Sequence, residues 1–587
     1  MARTLVFGNG ELHVGLNEYA EVADVYFPYI GLEQHAATPR LAHKLGVWVD
    51  GVFSWLSDGS WQFSHAYHPG ACVGDTTARS EKLQLTLELT DAVPTDSSAF
   101  VRNIHVVNRS PKQRQIRVFF HQAFDISQSR MLETCSYDPS NNAVIHYKDD
   151  RVFFVSAQHN NTPFRDVSVG LSGQYGYEGT FRDAEDGQLE QTTHALGRVD
   201  STIQLTANIA AHSSTRMYYW FAAGTYREEA RDLHHTIAEQ GVQQVLSETA
   251  RRSHQWLQPA LKPFAFAERR HAQSALCVIA AHQDRRGAVL ASLDSSPLAY
   301  SDAAYAYCWP RDAAYSMWPL LRLGYVDEVR RYFAFAEAVL HPDGYLEHLY
   351  LADGAVGPTW YGLCDDTKRP QIPFQADETA LTLFLAGQYF EQRKDHRWLN
   401  NHYLSFIRPM ADFLATHTDK DGLPLPSYPL WEQGYMVSTY TTAVTYAALV
   451  QASKLARAFG RRDDAAAWKV AAERLVSHAG VLYNNERHFF YAGYTIVDGK
   501  RVFDTTLDTA SLYGAFMFGL FDVESDEIRH SIETAERALQ SATVPGAYVR
   551  FEGDDYLQKT DASNVWTVPS LWMAQIYTER DELDKAR

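Results

Sequence analysis

Leu83-Gln84-Leu85-Thr86-Leu87-Glu88-Leu89 places a leucine at every second position, with Gln, Thr and Glu between. A period of two predicts a strand with one face buried and one face wet. Similar runs recur at 100–107, 114–120 and 151–156, and again at Ile203–Leu205 and Met217–Ala222. Gly, Asn, Asp and Pro punctuate them, and Asp149-Asp150 predicts a hairpin turn. Many short strands with turns between them predict a large antiparallel sandwich over residues 1–225.

The pattern changes near residue 260. Residues 226–264 read as a helical linker, and from 265 to 587 apolar residues recur at helical spacing. Helices are predicted near 267–285, 311–323, 326–340, 377–393, 397–417, 437–459, 462–482, 506–521, 525–540 and 565–579. The loops between alternate helices (286–310, 342–376, 418–436, 485–505, 541–564) carry most of the Trp, Gly, Pro and paired acids of this half. Loops gathered at one end of a helical scaffold are where binding residues usually sit. The expected fold class is therefore multidomain, β followed by α: an antiparallel sandwich, then an α/α toroid.

Composition narrows the function. The 587 residues are 45% hydrophobic and 21% charged, as in folded globular chains. A net charge of −18 repels phosphate backbones and anionic lipid, so neither nucleic acid nor membrane is an expected partner. No run approaches about 18 consecutive apolar residues, and the first residues lack a secretory signal, so the expected location is cytoplasmic. Five scattered cysteines without a C-x-x-C pair argue against a disulfide framework and against a zinc site; no cofactor or metal is expected. Glycine-rich nucleotide, zinc-protease and serine-hydrolase motifs are missing. Aromatic residues reach 13%, and aromatic faces stack well on sugar rings.

Four constellations can carry chemistry. Tyr305-Ala-Tyr-Cys-Trp309-Pro310-Arg311-Asp312 lies at a loop-to-helix junction, where Arg and Asp can clamp vicinal hydroxyls between aromatic walls. An N-terminal charge pair beside a core Trp explains the same residues. Lys368 to Thr379, with Gln375, Asp377 and Glu378, precedes another helix, where acids also simply favour the helix dipole. Ser427-Tyr-Pro-Leu430-Trp431-Glu432-Gln433 puts an acid beside a Trp on an apolar loop, the setting that makes a carboxyl a general acid. Arg550-Phe-Glu552-Gly-Asp554-Asp555-Tyr556, followed by Ser563-Asn564-Val565-Trp566, suits a second sugar subsite or a solvated loop.

In this order the motifs resemble the glucoamylases, glucodextranases and bacterial trehalases, a group of inverting glycoside hydrolases (family 15), in their bacterial two-domain form. The likeness starts at Gly8-Asn9-Gly10 and Asp24-Val-Tyr-Phe-Pro28 and continues through Trp309-Pro-Arg-Asp312. It extends over Arg369-Pro-Gln-Ile-Pro-Phe-Gln-Ala-Asp-Glu-Thr379, Leu430-Trp-Glu432 and Arg550-Phe-Glu-Gly-Asp554. The resemblance implies an N-terminal super-sandwich and an (α/α)6 barrel. It implies exo-acting hydrolysis of α-glucosides (α-glucans, their oligosaccharides or trehalose) with Glu432 as general acid. Arg311 and Asp312 would bind the terminal glucose. Tyr305, Trp309 and Trp431 would wall its pocket, with the Leu430 backbone alongside, and Arg550 and Trp566 would contact the ring or its neighbour.

The chain departs from the family at Pro429, Gln433 and Val565, and Gln433 removes a charge expected near the leaving-group sugar. The family's general base is a Glu in the loop between the last two barrel helices. That places it beyond Arg587, just as ten predicted helices fall two short of a six-pair toroid. Inversion needs that second carboxylate about 6.5–9.5 Å from the acid. Two other readings remain open: an inverting α-glucoside phosphorylase, which needs only the acid, and an inactive sugar-binding protein.

Overall fold

The computed structural model describes residues 3–38, 40–128, 132–299, 304–358, 374–556, 558 and 564–587. The chain forms two compact units. One comprises Met1–Cys308 with Arg322–Arg331 and Leu351–Asp353, and the other Trp309–Leu321, Tyr332–Tyr350 and Gly354–Arg587.

The first unit is antiparallel β throughout its sheets. Its largest sheet runs in the order 194–197, 133–138, 143–148, 151–159, 214–224, 99–108, 85–92, 74–80 and 62–67, and a five-stranded sheet centres on Arg114–Gln122. The Leu85–Leu89 alternation is fulfilled: Leu85, Leu87 and Leu89 are buried, and Glu88 between them is exposed. The 143–148 and 151–159 strands turn at Asp149-Asp150 as expected, with Asp149 at φ 48°.

Strands that read as continuous apolar runs are covered on both faces. In Ala99–Asn108, Phe100, Ile104 and Val106 enter the inter-sheet core. Ala99 and Val101 point the other way, with Ile145, Phe154 and Trp220, onto Ile237, Val245 and Leu246 of helices Arg227–Gln240 and Val242–Leu261. The segment expected as a linker is thus a helical layer whose apolar stripe seals one face of the large sheet. Helix Phe266–Ala281 also belongs to this unit.

One expectation is overturned. Cys72 and Cys277 form a disulfide across 205 residues of sequence, between the loop after Gln62–Tyr67 and helix Phe266–Ala281. Scattered spacing concealed it because folding, not sequence proximity, brings the two Cα atoms to 5.5 Å. Cys135 is a buried free thiol, and Cys308 is buried.

In the second unit helices alternate between an inner and an outer layer. Ala376–Arg393, Thr439–Phe459 and Thr509–Met517 are buried on nearly every side. Arg462–His478 and Asp526–Ala538 bury one stripe and wet the rest, as outer helices do. The expected helix 397–417 is broken: His396–His402 passes through a π-turn at Tyr403–Ile407 into Arg408–Thr416, where Pro409 sits at the new start. The expected loop 485–505 holds a hairpin, Gly493–Val497 with Lys500–Asp504, turning at Asp498-Gly499 with φ 48° and 74°. Among the described residues no helix is long and apolar enough to cross a membrane.

Candidate active site

Several candidate residues of the second unit stand at the start of a helix, and the others lie in the loops that lead into one. Arg311 and Asp312 open Pro310–Leu323, and Asp377 and Glu378 open Ala376–Arg393 behind Gln375. Asp508 caps Thr509–Met517 by accepting from Ala510 N at 2.9 Å, and Trp566 precedes Thr567–Glu579. Leu430, Trp431, Glu432 and Gln433 lie in the loop before Thr439–Phe459. Helix N-termini present unpaired N–H groups and positive dipole ends, so they tolerate buried acids and bind hydroxyl oxygens.

That loop is closed at its base, where Ser427 and Met436 exchange backbone hydrogen bonds of 3.0 Å. A turn from Pro429 O to Glu432 N, 2.8 Å, then aims Glu432 inward. Glu432 has φ 61°, a left-handed conformation costly to a residue with a Cβ. Its Oε1 lies 2.9 Å from His348 Nε2 and accepts from Gln375 Nε2 at 3.2 Å. His348 Nε2 in turn accepts the indole N–H of Trp309 at 3.1 Å. Sequence reasoning missed His348, which carries no motif of its own.

Gln375 links Glu432 to the Arg311 guanidinium, which donates to Gln375 Oε1 and to Asp377 Oδ2, the latter at 3.1 Å. Glu378 Oε1 is 3.5 Å from the same Arg311 nitrogen. Arg311 therefore pairs with Asp377 and Glu378, and not with its neighbour Asp312 as a simple N-terminal charge pair would. Burial pushes the carboxyls of Asp377 and Glu378 up, Glu378 well above the ordinary range, and Arg311 offsets only part of this. Neither Glu378 oxygen, nor Asp377 Oδ1, has a hydrogen-bond partner among the described residues.

Asp312 is exposed to solvent although protein crowds it on most sides. This crowding pushes its carboxyl up despite Arg311.

A second cluster adjoins through Trp431. Its indole N–H donates to Asp508 Oδ1 at 2.9 Å. Backbone bonds join Thr509 N to Arg550 O (3.0 Å) and Glu552 N to Leu507 O (2.9 Å), so the 550–556 loop is zipped to the Asp508 cap. A short ladder pairs Tyr548 with Trp566 across the same loop. The Arg550 guanidinium consequently lies 4.1 Å from the Trp566 ring centroid and 5.4 Å from that of Trp431, while Asp554 grips it bidentately at 2.8 and 2.6 Å. The indole N–H of Trp566 is buried with no partner among the described residues. Glu552 turns outward onto Arg487 at 2.9 and 3.1 Å, which holds its carboxyl below the ordinary range.

Leu430 is half-buried and Gln433 exposed. Tyr305 belongs to the first unit and is 42% exposed. The 368–373 part of the second motif and Ser563 lie outside the described residues. Among the described residues no group of three His, Cys, Asp or Glu side chains is placed to hold a metal.

Comparison with known proteins agrees with this arrangement. An uncharacterized glycosyl hydrolase of Methanocaldococcus jannaschii is 21% identical over 97% of this chain and 87% of its own. Trehalase 2 of Sulfolobus acidocaldarius is 24% identical over 48% of each chain. A bacterial glucoamylase solved with acarbose has the same fold, with TM-score 0.77 and 14% identity over 100% of this chain and 87% of that one. A putative kojibiose phosphorylase from the human microbiome follows at TM-score 0.56 and 9% identity, over 100% and 81%. The sequence pattern of Glycosyl hydrolases family 15 matches residues 267–586, more than half of the chain, and the protein therefore belongs to that family.

Proposed function

We propose that the protein is an inverting, exo-acting α-glucoside hydrolase that releases glucose from non-reducing ends, with Glu432 as its general acid. The observation that carries this reading is the convergence on Glu432: a strained backbone at a loop tip and a carboxyl oxygen held by His348 and Gln375. Turn residues such as Asp149 and Asp498 share this left-handed backbone, so the hydrogen bonds that hold the Glu432 carboxyl carry more of the weight. Trehalase 2 of S. acidocaldarius and the glucoamylase fold support an α-glucoside as substrate.

In this mechanism Asp312, with its accessible carboxyl, binds terminal-glucose hydroxyls. Trp309 and Trp431 wall the pocket, with the Leu430 backbone as a further contact. Gln375 and the Arg311–Asp377–Glu378 group form the floor, and Arg311 also binds a glucose hydroxyl. The unpaired Trp566 N–H, beside Arg550, donates to the ring or its neighbour. Glu432 protonates the glycosidic oxygen as the bond to C1 breaks, and water attacks C1 from the opposite face under a general base. Glu552 and Asp554 do not suit that second role, being committed to Arg487 and Arg550.

Maltose, isomaltose and trehalose, each assayed with and without inorganic phosphate, test the reading. Glucose release independent of phosphate supports it. Glucose 1-phosphate formed only with phosphate present supports the phosphorylase instead, and binding without turnover supports a sugar-binding protein.

A further inference from the structure

The contacts around His348 define where a proton sits. An indole N–H can only donate, so Trp309, 3.1 Å away, requires a lone pair at His348 Nε2. A neutral imidazole that accepts at Nε2 carries its proton on Nδ1. Glu432 Oε1 lies 2.9 Å from that same acceptor nitrogen. Two acceptors at this distance repel, whereas a protonated carboxyl can donate to Nε2, whose single lone pair then takes the Glu432 O–H and the Trp309 N–H together as a bifurcated acceptor. Imidazolium, or the tautomer protonated at Nε2, would instead point N–H against the N–H of Trp309.

We infer that His348, locked as an acceptor by Trp309, is a positioning residue that keeps the transferable proton on Glu432. This deepens the proposed reading of Glu432 as general acid and rests on it. When the proton passes to the glycosidic oxygen, the carboxylate is left facing a lone pair, so reprotonation is favoured before the next turnover. His348 thereby extends the pH range over which Glu432 works as an acid. Among the described residues, charged groups acting on Glu432 include Arg311, which favours its ionisation, and Asp312, Asp377 and Glu378, which oppose it.

The test is the high-pH limb of kcat for the parent, His348→Leu and His348→Gln. Loss of the acceptor in His348→Leu should move the limb down by about one pH unit, while the acceptor oxygen of His348→Gln should retain most of the parent position. A purely structural role would lower kcat evenly and leave the limb in place, and that result overturns the inference. So does a shift to higher pH, which would mean that His348 donates to a carboxylate. A parallel titration of the Glu432 carboxyl by infrared difference spectroscopy, its band assigned by subtracting Glu432→Gln, needs no substrate. The carboxyl band should titrate lower in His348→Leu than in the parent, and an unmoved band overturns the inference. This readout stands even if the parent hydrolyses no α-glucoside, an outcome that would count against the proposed function alone. Should His348→Leu fail to fold, His348→Ala, which also lacks an acceptor, takes its place in both measurements.

Discussion

Trp431 donates its indole N–H to Asp508 at 2.9 Å, and through that one bond the loop carrying Glu432 is tied to the cap of helix Thr509–Met517. Asp508 is buried, and burial pushes its carboxyl up to about 6, with the Trp431 bond and the Ala510 N–H offsetting part of the rise. An acid whose pKa is raised on folding binds its proton more tightly in the native state, so stability falls as pH climbs from about 4 to about 6. Asp508→Asn keeps both acceptor bonds without the charge. The variant should gain relative to the parent across that window, by roughly 2–3 kcal/mol in urea unfolding. Parallel pH–stability curves would contradict the buried charge.

Asp312→Asn addresses glucose recognition. Removing one charged hydrogen-bonding group should lower kcat/KM by about ten- to a hundredfold with an unchanged melting temperature. A protein that unfolds, with normal activity in the folded remainder, would instead make Asp312 structural.

Much of this is legible in the sequence because periodicity is local. The alternation from Leu85 to Leu89 and the helical spacing beyond 265 each report which face of one element is buried, and the structure agrees with both, although Leu83 and Gln84 lie in the turn before the strand. Asp498-Gly499 is a readable hairpin signal, masked by the helical segments on either side. Pro409 likewise marks the break in the expected helix 397–417. His348 is not legible: it reads as one loop residue, and its partners Trp309 and Glu432 lie 39 and 84 positions away. The same holds for the pairing of Arg311 with Asp377 instead of Asp312, since sequence adjacency at a helix start sends two side chains in different directions.

The Cys72–Cys277 bond closes a loop of 205 residues within the first unit. Cross-linking over that span restricts the unfolded chain, an effect worth about 2–5 kcal/mol. Cys72→Ser should therefore lower the melting temperature measurably, and a reductant should do the same to the parent but not to the variant. Equal melting of parent and variant would show the bond to be unformed in solution.

Glu432→Gln removes the transferable proton while keeping size and hydrogen bonding. Loss of kcat on an unactivated α-glucoside should be about 10²–10⁴-fold. An α-glucosyl fluoride, whose leaving group needs no proton, should lose far less. A loss below about threefold on both substrates, with folding intact, would remove Glu432 from the role of acid.

The most direct test of the central claim is the anomeric form of the first glucose released from an α-glucoside in phosphate-free buffer, followed by proton NMR before mutarotation. An acid at Glu432 acting with water on the opposite face predicts β-glucose first. If α-glucose appears first, or no glucose appears until phosphate is added, the account of an inverting hydrolase is contradicted.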